Sequence, residues 1–306
     1  MATAESPLDR VRGRAVSVRT FQVAAVVTLA LLWLVIGTGG LVRVTASGLG
    51  CPNWPTCEAG TLVPSTSHHA VIEFTNRVLS GLAMVAAVIT AWFGFRTPGL
   101  SRAVAWGACA AAAGTVAQVP LGAVTVAVDL HPLAVMSHFL LALAVTAAAT
   151  WVTVHAVALA RGRPLGAIER SKPAMFAGVA VAAVLVLITT GAFVTAAGPH
   201  PGSTDKVIQR FGDFSDAAYI HVRAAVTFAV IFGGLTVWLW RTAREPLAQR
   251  LALAGIVLTL CQIGVGEYQY RNGLPWGVVA VHVAIAGALV ITVVSVATLV
   301  AHRRMR

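Results

Sequence analysis

Charged residues are scarce in this chain. Only 11% of its 306 residues are Asp, Glu, Lys or Arg, whereas 58% are apolar. Soluble globular domains usually have about a quarter of their residues charged, so this composition excludes an ordinary soluble domain. The sequence therefore predicts an integral membrane protein.

Acidic residues are the scarcer charged class, with 11 Asp and Glu against 22 Lys and Arg. The basic residues stand at the ends of apolar runs rather than on one polar domain, so we expect no nucleic-acid partner. A Gly-rich dinucleotide fingerprint of the G-x-G-x-x-G kind after a strand is also missing. Its absence argues against a bound nicotinamide or flavin dinucleotide.

Eight apolar runs are long enough to cross a bilayer, which requires roughly 17 to 25 residues. They predict an all-α fold of eight transmembrane helices, of which the seventh is short and the third meets Pro120 near its end. We interpret the first run as a retained helix, because about 20 apolar residues exceed the length of a cleavable signal core. The runs lie near 21–42, 71–95, 103–123, 132–160, 174–196, 216–240, 251–266 and 276–301.

Basic residues are concentrated on one predicted side of the membrane. Sixteen of the 22 Lys and Arg precede the first run or follow an even-numbered one. The positive-inside rule makes that side cytoplasmic and places both termini there. The remaining loops are predicted to face outward.

The two halves of the chain repeat one pattern of polar residues. In each half a glutamine precedes a glycine by four positions and a histidine by 20 positions. A further polar residue lies 42 positions before the first glutamine and 41 before the second. The matched pairs are Gln118 with Gln262, Gly122 with Gly266, His138 with His282, and Asn76 with His221. This register predicts duplication of a four-helix unit.

The duplication predicts two pseudo-symmetric four-helix bundles related by an axis along the membrane normal. The predicted divisions are a cytoplasmic segment 1–20, a first half 21–160, a linker 161–173, a second half 174–301 and a cytoplasmic tail 302–306. The first half includes an external loop, 43–69, that contains two cysteines. We expect each half to have a corresponding pocket.

Three histidines, His138, His221 and His282, lie within predicted helices near their outer ends. Ionisable residues inside a bilayer usually face the bundle interior and mark a site. His221 and His282, on two helices of one bundle, could ligate a heme iron from both sides. The alternative is that each histidine makes an ordinary polar contact between helices. Other metals are disfavoured, since no carboxylate or third histidine accompanies the pair.

Basic residues near the second-half histidines could hold heme propionates, because a carboxylate at the interface needs a cationic partner. Arg223 follows His221 by two positions, and Arg210 lies in the preceding loop. Lys206 and Arg271 have the same character. All four could equally be ordinary interfacial charges.

The first half has Asn76 where the second half has His221, and an amide is a poor ligand for heme iron. His69, Glu73 and Asn76 lie within one face of the second helix, which we expect to look toward His138. A single histidine beside a carboxylate leaves a coordination position open next to an acid or base. The sequence therefore predicts a reactive first half and an electron-transferring second half.

The four cysteines are of two kinds. Cys51 and Cys57 lie in the external loop, where an oxidising compartment would allow a disulfide to persist. Cys109 and Cys261 lie inside apolar helices, and we expect them to be small buried residues.

Several segments together resemble the heme A synthase family over nearly the whole chain. They are "GGLVRVTASGLGCPNWPTC", "VIEFTNR", "MSHFLLAL", "YIHVRAA" and "AVHVAIAG". The resemblance implies a cell-membrane enzyme that oxidises the C8 methyl of heme O to a formyl group, with its heme sites toward the external face. The product, heme A, would serve cytochrome c oxidase.

The resemblance also implies site residues and partners. A heme b would be bound by His221 and His282, the substrate heme by His138, and the essential carboxylate would be Glu73. Cys51 and Cys57 would act in redox or heme handling. The implied partners are a heme O synthase (protoheme farnesyltransferase), the assembly of cytochrome c oxidase, and an electron carrier that is another protein or a quinone, with homo-oligomers as a further form.

Asn76 departs from the family, in which many members have a second histidine in an E-x-x-H-R pattern. Either His138 binds the substrate heme alone, or His69 substitutes; Arg77 would be a propionate partner or a charge between helices. Two other functions stay open from the residues: a diheme b-type electron-transfer subunit without heme-modifying activity, and a transporter with sites between the repeats. Diheme subunits commonly have two histidines 13 or 14 residues apart on one helix, which no helix here has.

Overall fold

The computed structural model describes residues 15–51, 53, 56–57, 64, 66–169, 171–204, 207–242 and 245–304, with Arg303 and Arg304 described by their backbone alone. Within this part of the chain there are eight long helices, each long and apolar enough to cross a membrane. The prediction of an all-α membrane fold is confirmed. The helices are α1 Val18–Val44, α2 His68–Gly94, α3 Arg102–Ala127, α4 Pro132–Ala160, α5 Lys172–Ala197, α6 Phe214–Thr242, α7 Pro246–Arg271 and α8 Trp276–Ala301.

Serine hydroxyls fix where half of these helices begin. Ser17, Ser67, Ser101 and Ser171 each precede a helix and accept a hydrogen bond from the backbone N–H three residues on. Such a cap satisfies one of the amide groups that a helix start leaves unpaired. The caps explain why several helices start two or three residues before the apolar runs do.

Two predicted helix boundaries are wrong. The seventh helix is 26 residues long, not a short one, because its outer turns contain polar residues such as Gln269 and Arg271 that an apolar count omits. The third helix continues beyond Pro120 to Ala127. A proline is tolerated inside a membrane helix where neighbouring groups satisfy the backbone that it leaves unpaired.

The helices form two four-membered rings. In the first half α1, α2, α3 and α4 contact one another in sequence and α4 returns to α1; α5 to α8 repeat this arrangement. The contacts between the halves are also matched, since α1 packs on α8, α5 packs on α4, and α4 packs on α8. This is the pattern expected from the duplication, whereas the symmetry axis itself stays a prediction.

The seam between the halves is closely packed. A Cβ atom added to Gly40 of α1 would lie 3.0 Å from Cγ1 of Val283 on α8, which explains the glycine. Nearby, Trp33 Nε1 donates a hydrogen bond of 3.0 Å to the carbonyl of Ala284. The first half is therefore fixed directly against the helix that contains His282.

The connections lie at the two ends of the bundle. We call the end that holds the loops 45–67 and 198–213 the outer end. There Gly48 N donates a 2.7 Å hydrogen bond to Gly202 O, and the ring of His200 donates through Nε2 to Leu274 O at 2.8 Å. The outer loops of both halves thus form one connected layer.

At the opposite, inner end the linker and the tail pair with each other. Strand β1, Leu165–Ile168, runs antiparallel to strand β2, His302–Arg304. The predicted linker 161–173 and tail 302–306 therefore include a two-stranded ribbon that the composition did not indicate. Most of the predicted N-terminal segment 1–20 lies outside the described residues, as do the last two positions of the tail.

Candidate functional site

The second half brings His221 of α6 and His282 of α8 together. Both side chains are partly buried. They lie about two turns from the outer ends of their helices. The outer end of one bundle therefore holds both imidazoles, and that they face each other stays a prediction.

Glycines form a cradle around this pair. A Cβ atom on Gly191 of α5 would lie 3.0 Å from Cε1 of His221, and one on Gly266 of α7 would lie 3.3 Å from Cε1 of His282. All four helices of the second half thus contribute to the histidine pocket. A side chain at either glycine would displace a ring.

The hydrogen bonds of the two rings leave nitrogen atoms available for a metal. Thr190 Oγ1 lies 3.1 Å from His221 Nδ1, so a metal at this ring would be bound through Nε2. His282 Nδ1 is buried without a hydrogen-bond partner within the described residues. A hydroxyl that fixes the orientation of a ligating ring is a common feature of metal sites. The chemistry of this donor set fits a heme iron with two axial histidines.

The first half reproduces the same arrangement with one substitution. A Cβ atom on Gly122 would lie 3.4 Å from Cε1 of His138, matching Gly266 and His282. Thr38 Oγ1 donates a 2.7 Å hydrogen bond to Asn76 Oδ1, matching Thr190 and His221. Because both pairs of contacts recur, Asn76 occupies the position of the missing histidine.

The repeated glutamines also have matched surroundings. Gln118 Nε2 donates to the carbonyl of His138 at 3.1 Å, and its Oε1 atom is buried without a partner within the described chain. Gln262 Oε1 is likewise buried and unpartnered there. Unpaired buried oxygens are costly, so their presence in both halves indicates a recurring polar pocket rather than an accident of packing.

Glu73 lies beneath the cysteine loop. The residue is 5% exposed, and Oε2 accepts a 2.7 Å hydrogen bond from the backbone N–H of Cys51. Cys51 and Cys57 form a disulfide, and both are fully buried. The carboxylate is therefore in direct contact with the disulfide loop.

Arg77 completes this arrangement. Its Nη2 atom forms an ion pair of 2.5 Å with Glu73 Oε1, and Nη1 donates to the carbonyls of Asn53 at 2.8 Å and Thr56 at 3.1 Å. The guanidinium thus joins the carboxylate to the backbone of the loop. The described contacts of Arg77 run to its own helix and the loop rather than to another helix, and the propionate contact stays a prediction.

His69 faces the outer loops. Its Nδ1 atom lies 3.0 Å from Ser47 Oγ, and the ring stacks on His68. The described side-chain hydrogen bonds of His69, Glu73 and Asn76 run to α1, to the outer loops and to Arg77 of α2 itself, and within the described chain none runs to His138. That these three residues look toward His138 stays a prediction.

The two predicted propionate contacts have different surroundings. Arg223 is exposed and lies over the ring of Tyr219 on its own helix, 3.0 Å from the ring centre. Arg210 donates from Nε to Gly198 O at 2.7 Å and from Nη2 to Thr195 O at 2.8 Å. Burial lowers the pKa of the Arg210 guanidinium from its usual range. Lys206 lies outside the described residues, and Arg271 pairs with Glu267 at the surface.

Sequence reasoning missed Arg43. This residue lies in the last turn of α1 but donates to carbonyls of the second half, from Nε to His200 at 3.0 Å and from Nη2 to Thr195 at 2.7 Å. An arginine at the outer end of an apolar helix runs against the positive-inside rule. That exception could have identified it.

The remaining predictions concern cysteines, a loop histidine and metal clusters. Cys261 is exposed on α7 and Cys109 is partly buried, so the expectation that both are buried is wrong. His131 caps the start of α4, where its side chain accepts a hydrogen bond from the backbone N–H of Leu133. Within the described residues, no group of three His, Cys, Asp or Glu side chains could hold a metal ion.

The model of the family described as cytochrome oxidase assembly protein, COX15-CtaA, matches residues 22–294. The chain is similar to the heme A synthase of Bacillus licheniformis, with 31% identity over 115 residues, or 37% of each chain. It is also similar to that of Geobacillus kaustophilus, with 36% identity over 77 residues, or 25% of this chain and 24% of the relative.

A segment also resembles the protoheme IX farnesyltransferase of Thermus thermophilus, with 43% identity over 61 residues, or 19% of this chain and 10% of that protein. The matched segments thus span well under two thirds of the length of these curated relatives.

Proposed function

This chain belongs to the cytochrome oxidase assembly protein family COX15-CtaA, and from that premise we propose that it is a heme A synthase. The proposed reaction is oxidation of the C8 methyl of heme O to a formyl group. One observation supports it above the others: the two halves have a pair of related sites, since the contacts of His221 and His282 recur at Asn76 and His138. Such a pair suits one resident cofactor and one substrate.

In the second half, His221 and His282 would hold a heme b. Thr190 orients the His221 ring, and Gly191 and Gly266 leave space for both rings. A heme b held by both histidines would supply one-electron transfer, because ligation by two protein side chains would leave no iron position for a substrate. Arg210 at the outer rim is the predicted propionate contact that lies in a buried setting.

In the first half, His138 would bind the substrate heme as its single protein ligand. Thr38 donates a hydrogen bond to the amide oxygen of Asn76. The Asn76 side chain therefore occupies the position of the second histidine but would not ligate the iron. An open position beside the heme would leave room for the oxidant. His69 is the alternative ligand, and it would have to leave its contact with Ser47 to reach an iron.

Glu73 is the proposed catalytic carboxylate. Its two oxygen atoms are held by Cys51 and Arg77, so the group is fixed in position and can accept or return a proton at Oε1 or Oε2. Oxidation of a methyl group releases protons, which gives a carboxylate at the site a definite task. The Cys51–Cys57 disulfide would position this carboxylate and take part in redox or heme handling.

The proposed setting is the cell membrane, with both heme sites toward the external face. A heme O synthase would supply the substrate, and the similarity to a protoheme IX farnesyltransferase supports that link. The product would go to the assembly of cytochrome c oxidase, and electrons would pass to or from another protein or a quinone. Homo-oligomers are part of the same proposal.

The test is co-expression with a heme O synthase in a host without heme A, followed by chromatography of the extracted hemes. We expect heme A, together with any hydroxylated intermediate. Glu73→Ala should abolish this product and retain heme b, because Glu73 lies in the other half. His221→Ala and His282→Ala should lose the low-spin heme b spectrum.

Two outcomes would contradict the proposal. A well-folded, heme-loaded protein that forms neither heme A nor an intermediate would favour the diheme electron-transfer subunit. Full heme content in both histidine variants would overturn the ligand assignment.

A further inference from the structure

Two guanidinium groups converge on one carbonyl at the outer seam between the halves. Arg43 of α1 donates to Thr195 O at 2.7 Å, and Arg210 of the α5–α6 loop donates to the same oxygen at 2.8 Å. Each arginine makes one more backbone contact, Arg43 to His200 O and Arg210 to Gly198 O. Two positive charges are therefore held side by side by neutral groups.

Within the described residues, this pair of arginines has no anionic partner. Within the part of the chain that the structure describes, no carboxylate pairs with either guanidinium, and Nη1 of Arg210 is buried without a hydrogen-bond partner. Like charges at close range repel, and partly desolvated ones repel more strongly than in water. A site that holds two such cations in fixed positions, with a buried donor unused, is suited to a negatively charged ligand.

The second-half helix α5 connects this pair to the histidine pocket. Thr195 follows Gly191 by four residues, so it lies on the same helix face and about one turn, roughly 5 Å, further out. Gly191 is the glycine against the His221 ring. The contacts of Arg210 with Thr195 and Gly198 therefore place its guanidinium at the outer rim above His221.

The first-half helix α1 approaches the same rim from the other side. Gly40 packs against Val283, the residue after His282, and Arg43 follows Gly40 by three residues. Arg43 thus lies about one helical turn further out than the contact between Gly40 and Val283, which is next to His282. Both guanidiniums are held at the outer end of α5, which packs against the two helices that contain the proposed ligands.

We infer that Arg43 and Arg210 form a two-arginine carboxylate site that binds a propionate of the heme held by His221 and His282. The inference rests on the proposed function and adds a residue from the first half to the heme site of the second. Guanidinium groups bind carboxylates through paired hydrogen bonds, which a lysine cannot reproduce. Arg43 of the first half would thereby complete the heme site of the second half.

The test measures heme release from the purified, heme-loaded protein to excess apomyoglobin. Arg43→Gln and Arg210→Gln should each release heme on the order of tenfold faster, since a hydrogen bond to a charged group contributes about that factor or more. Arg43→Lys should fall between Arg43→Gln and the native chain. Arg250→Gln, at the exposed inner end of α7, is the matched control and should release heme at the native rate.

A second measurement identifies the group that is bound. Protein stripped of heme is reloaded with hemin or with hemin dimethyl ester, in which the propionates are esterified. The native chain should release the ester about tenfold faster than hemin, whereas Arg43→Gln should release both at similar rates, because its carboxylate contact is already lost. Size-exclusion chromatography and melting temperature establish that each variant is folded.

Unchanged heme release in folded Arg43→Gln, or equal retention of hemin and its ester by the native chain, would overturn the inference. Either result would assign the pair to another anion, such as a lipid phosphate. These outcomes leave the proposed function intact, since that would fail instead through absence of heme or of heme A.

Discussion

Glu73 Oε2 accepts a 2.7 Å hydrogen bond from the backbone N–H of Cys51, the first cysteine of the disulfide at the outer end of the bundle. The carboxylate proposed for catalysis and the cysteine pair are therefore parts of one unit. Because the loop bends back over α2 to make this contact, the position of the carboxylate depends on the conformation of the loop. The disulfide closes that loop over only six residues.

The double variant Cys51→Ser, Cys57→Ser should lower heme A formation and leave the heme b spectrum unchanged. Without the cross-link the loop gains conformational freedom, so the N–H of residue 51 is no longer held against Glu73. Extracted hemes measure the first effect and the reduced optical spectrum the second. Cys109→Ser, Cys261→Ser is the matched control, since neither thiol is in the disulfide. A native amount of heme A from the Cys51→Ser, Cys57→Ser variant would show that the role of Glu73 does not depend on the disulfide.

Arg77→Ala should destabilise the protein far more than Arg271→Ala. Both arginines form an i,i+4 ion pair of 2.5 Å, but the side chains of Arg77 and Glu73 are 18% and 7% exposed, whereas those of Arg271 and Glu267 are 74% and 57% exposed. Removing one partner of a buried pair costs roughly 3 kcal/mol or more, and an exposed pair contributes about 1 kcal/mol at most.

The measurement for this pair is the apparent melting temperature of each variant in detergent. Arg77→Ala also leaves the carbonyls of Asn53 and Thr56 without their donor, which adds to the loss. Equal melting temperatures for the two variants would show that Arg77 does not hold the loop.

The number and order of the membrane helices could be predicted from the sequence, since apolar length alone decides whether a segment can span a bilayer. The repeat register was also readable, and it extends to atomic contacts: Gly122 faces His138 as Gly266 faces His282. Sequence spacing succeeded here because both residues of each pair lie on rigid helices.

Contacts that depend on loops were not predictable. Arg77 could be placed on α2 from the sequence, but its contacts with Asn53 and Thr56 depend on how the loop folds back. Arg43 was missed for a similar reason, because its acceptors Thr195 and His200 lie more than 150 residues away across the seam. The ribbon at the inner end likewise joins two segments, β1 and β2, whose composition does not indicate strands.

Gly191→Ala should weaken heme b binding, and Gly264→Ala should not. A Cβ atom at Gly191 would lie 3.0 Å from the His221 ring, whereas one at Gly264 meets nothing within 4 Å. Displacing a ligating ring typically costs tenfold or more in metal affinity, while alanine is favoured over glycine in a helix by about 1 kcal/mol.

The low-spin heme b absorbance per milligram of purified protein gives the comparison for these glycines. Gly264→Ala should match or exceed the native melting temperature, which shows that the change itself is tolerated. Native heme content in Gly191→Ala would mean that His221 is not a ligand in the orientation described.

Asn76→His should convert the first pocket into a second two-histidine site. Thr38 already holds residue 76 through a hydrogen bond, as Thr190 holds His221, so an imidazole at this position would be oriented by its Nδ1 atom and present Nε2 to the pocket. Space is available, because a Cβ atom on Gly39 would be 3.9 Å from Asn76 Oδ1. The equivalent Cβ atom on Gly191 would be only 3.0 Å from the His221 ring.

We expect Asn76→His to raise tightly bound low-spin heme from about one to about two per chain, since two axial histidines close the iron to other ligands. Heme A formation should fall for the same reason. Asn76→Leu is the control of similar size without a ligand, and it should add no low-spin heme. The double variant Asn76→His, His138→Ala should lose the added heme and keep the one bound by His221 and His282. If folded Asn76→His gains no heme, position 76 does not correspond to His221, and the single-ligand site proposed for the substrate loses its structural basis.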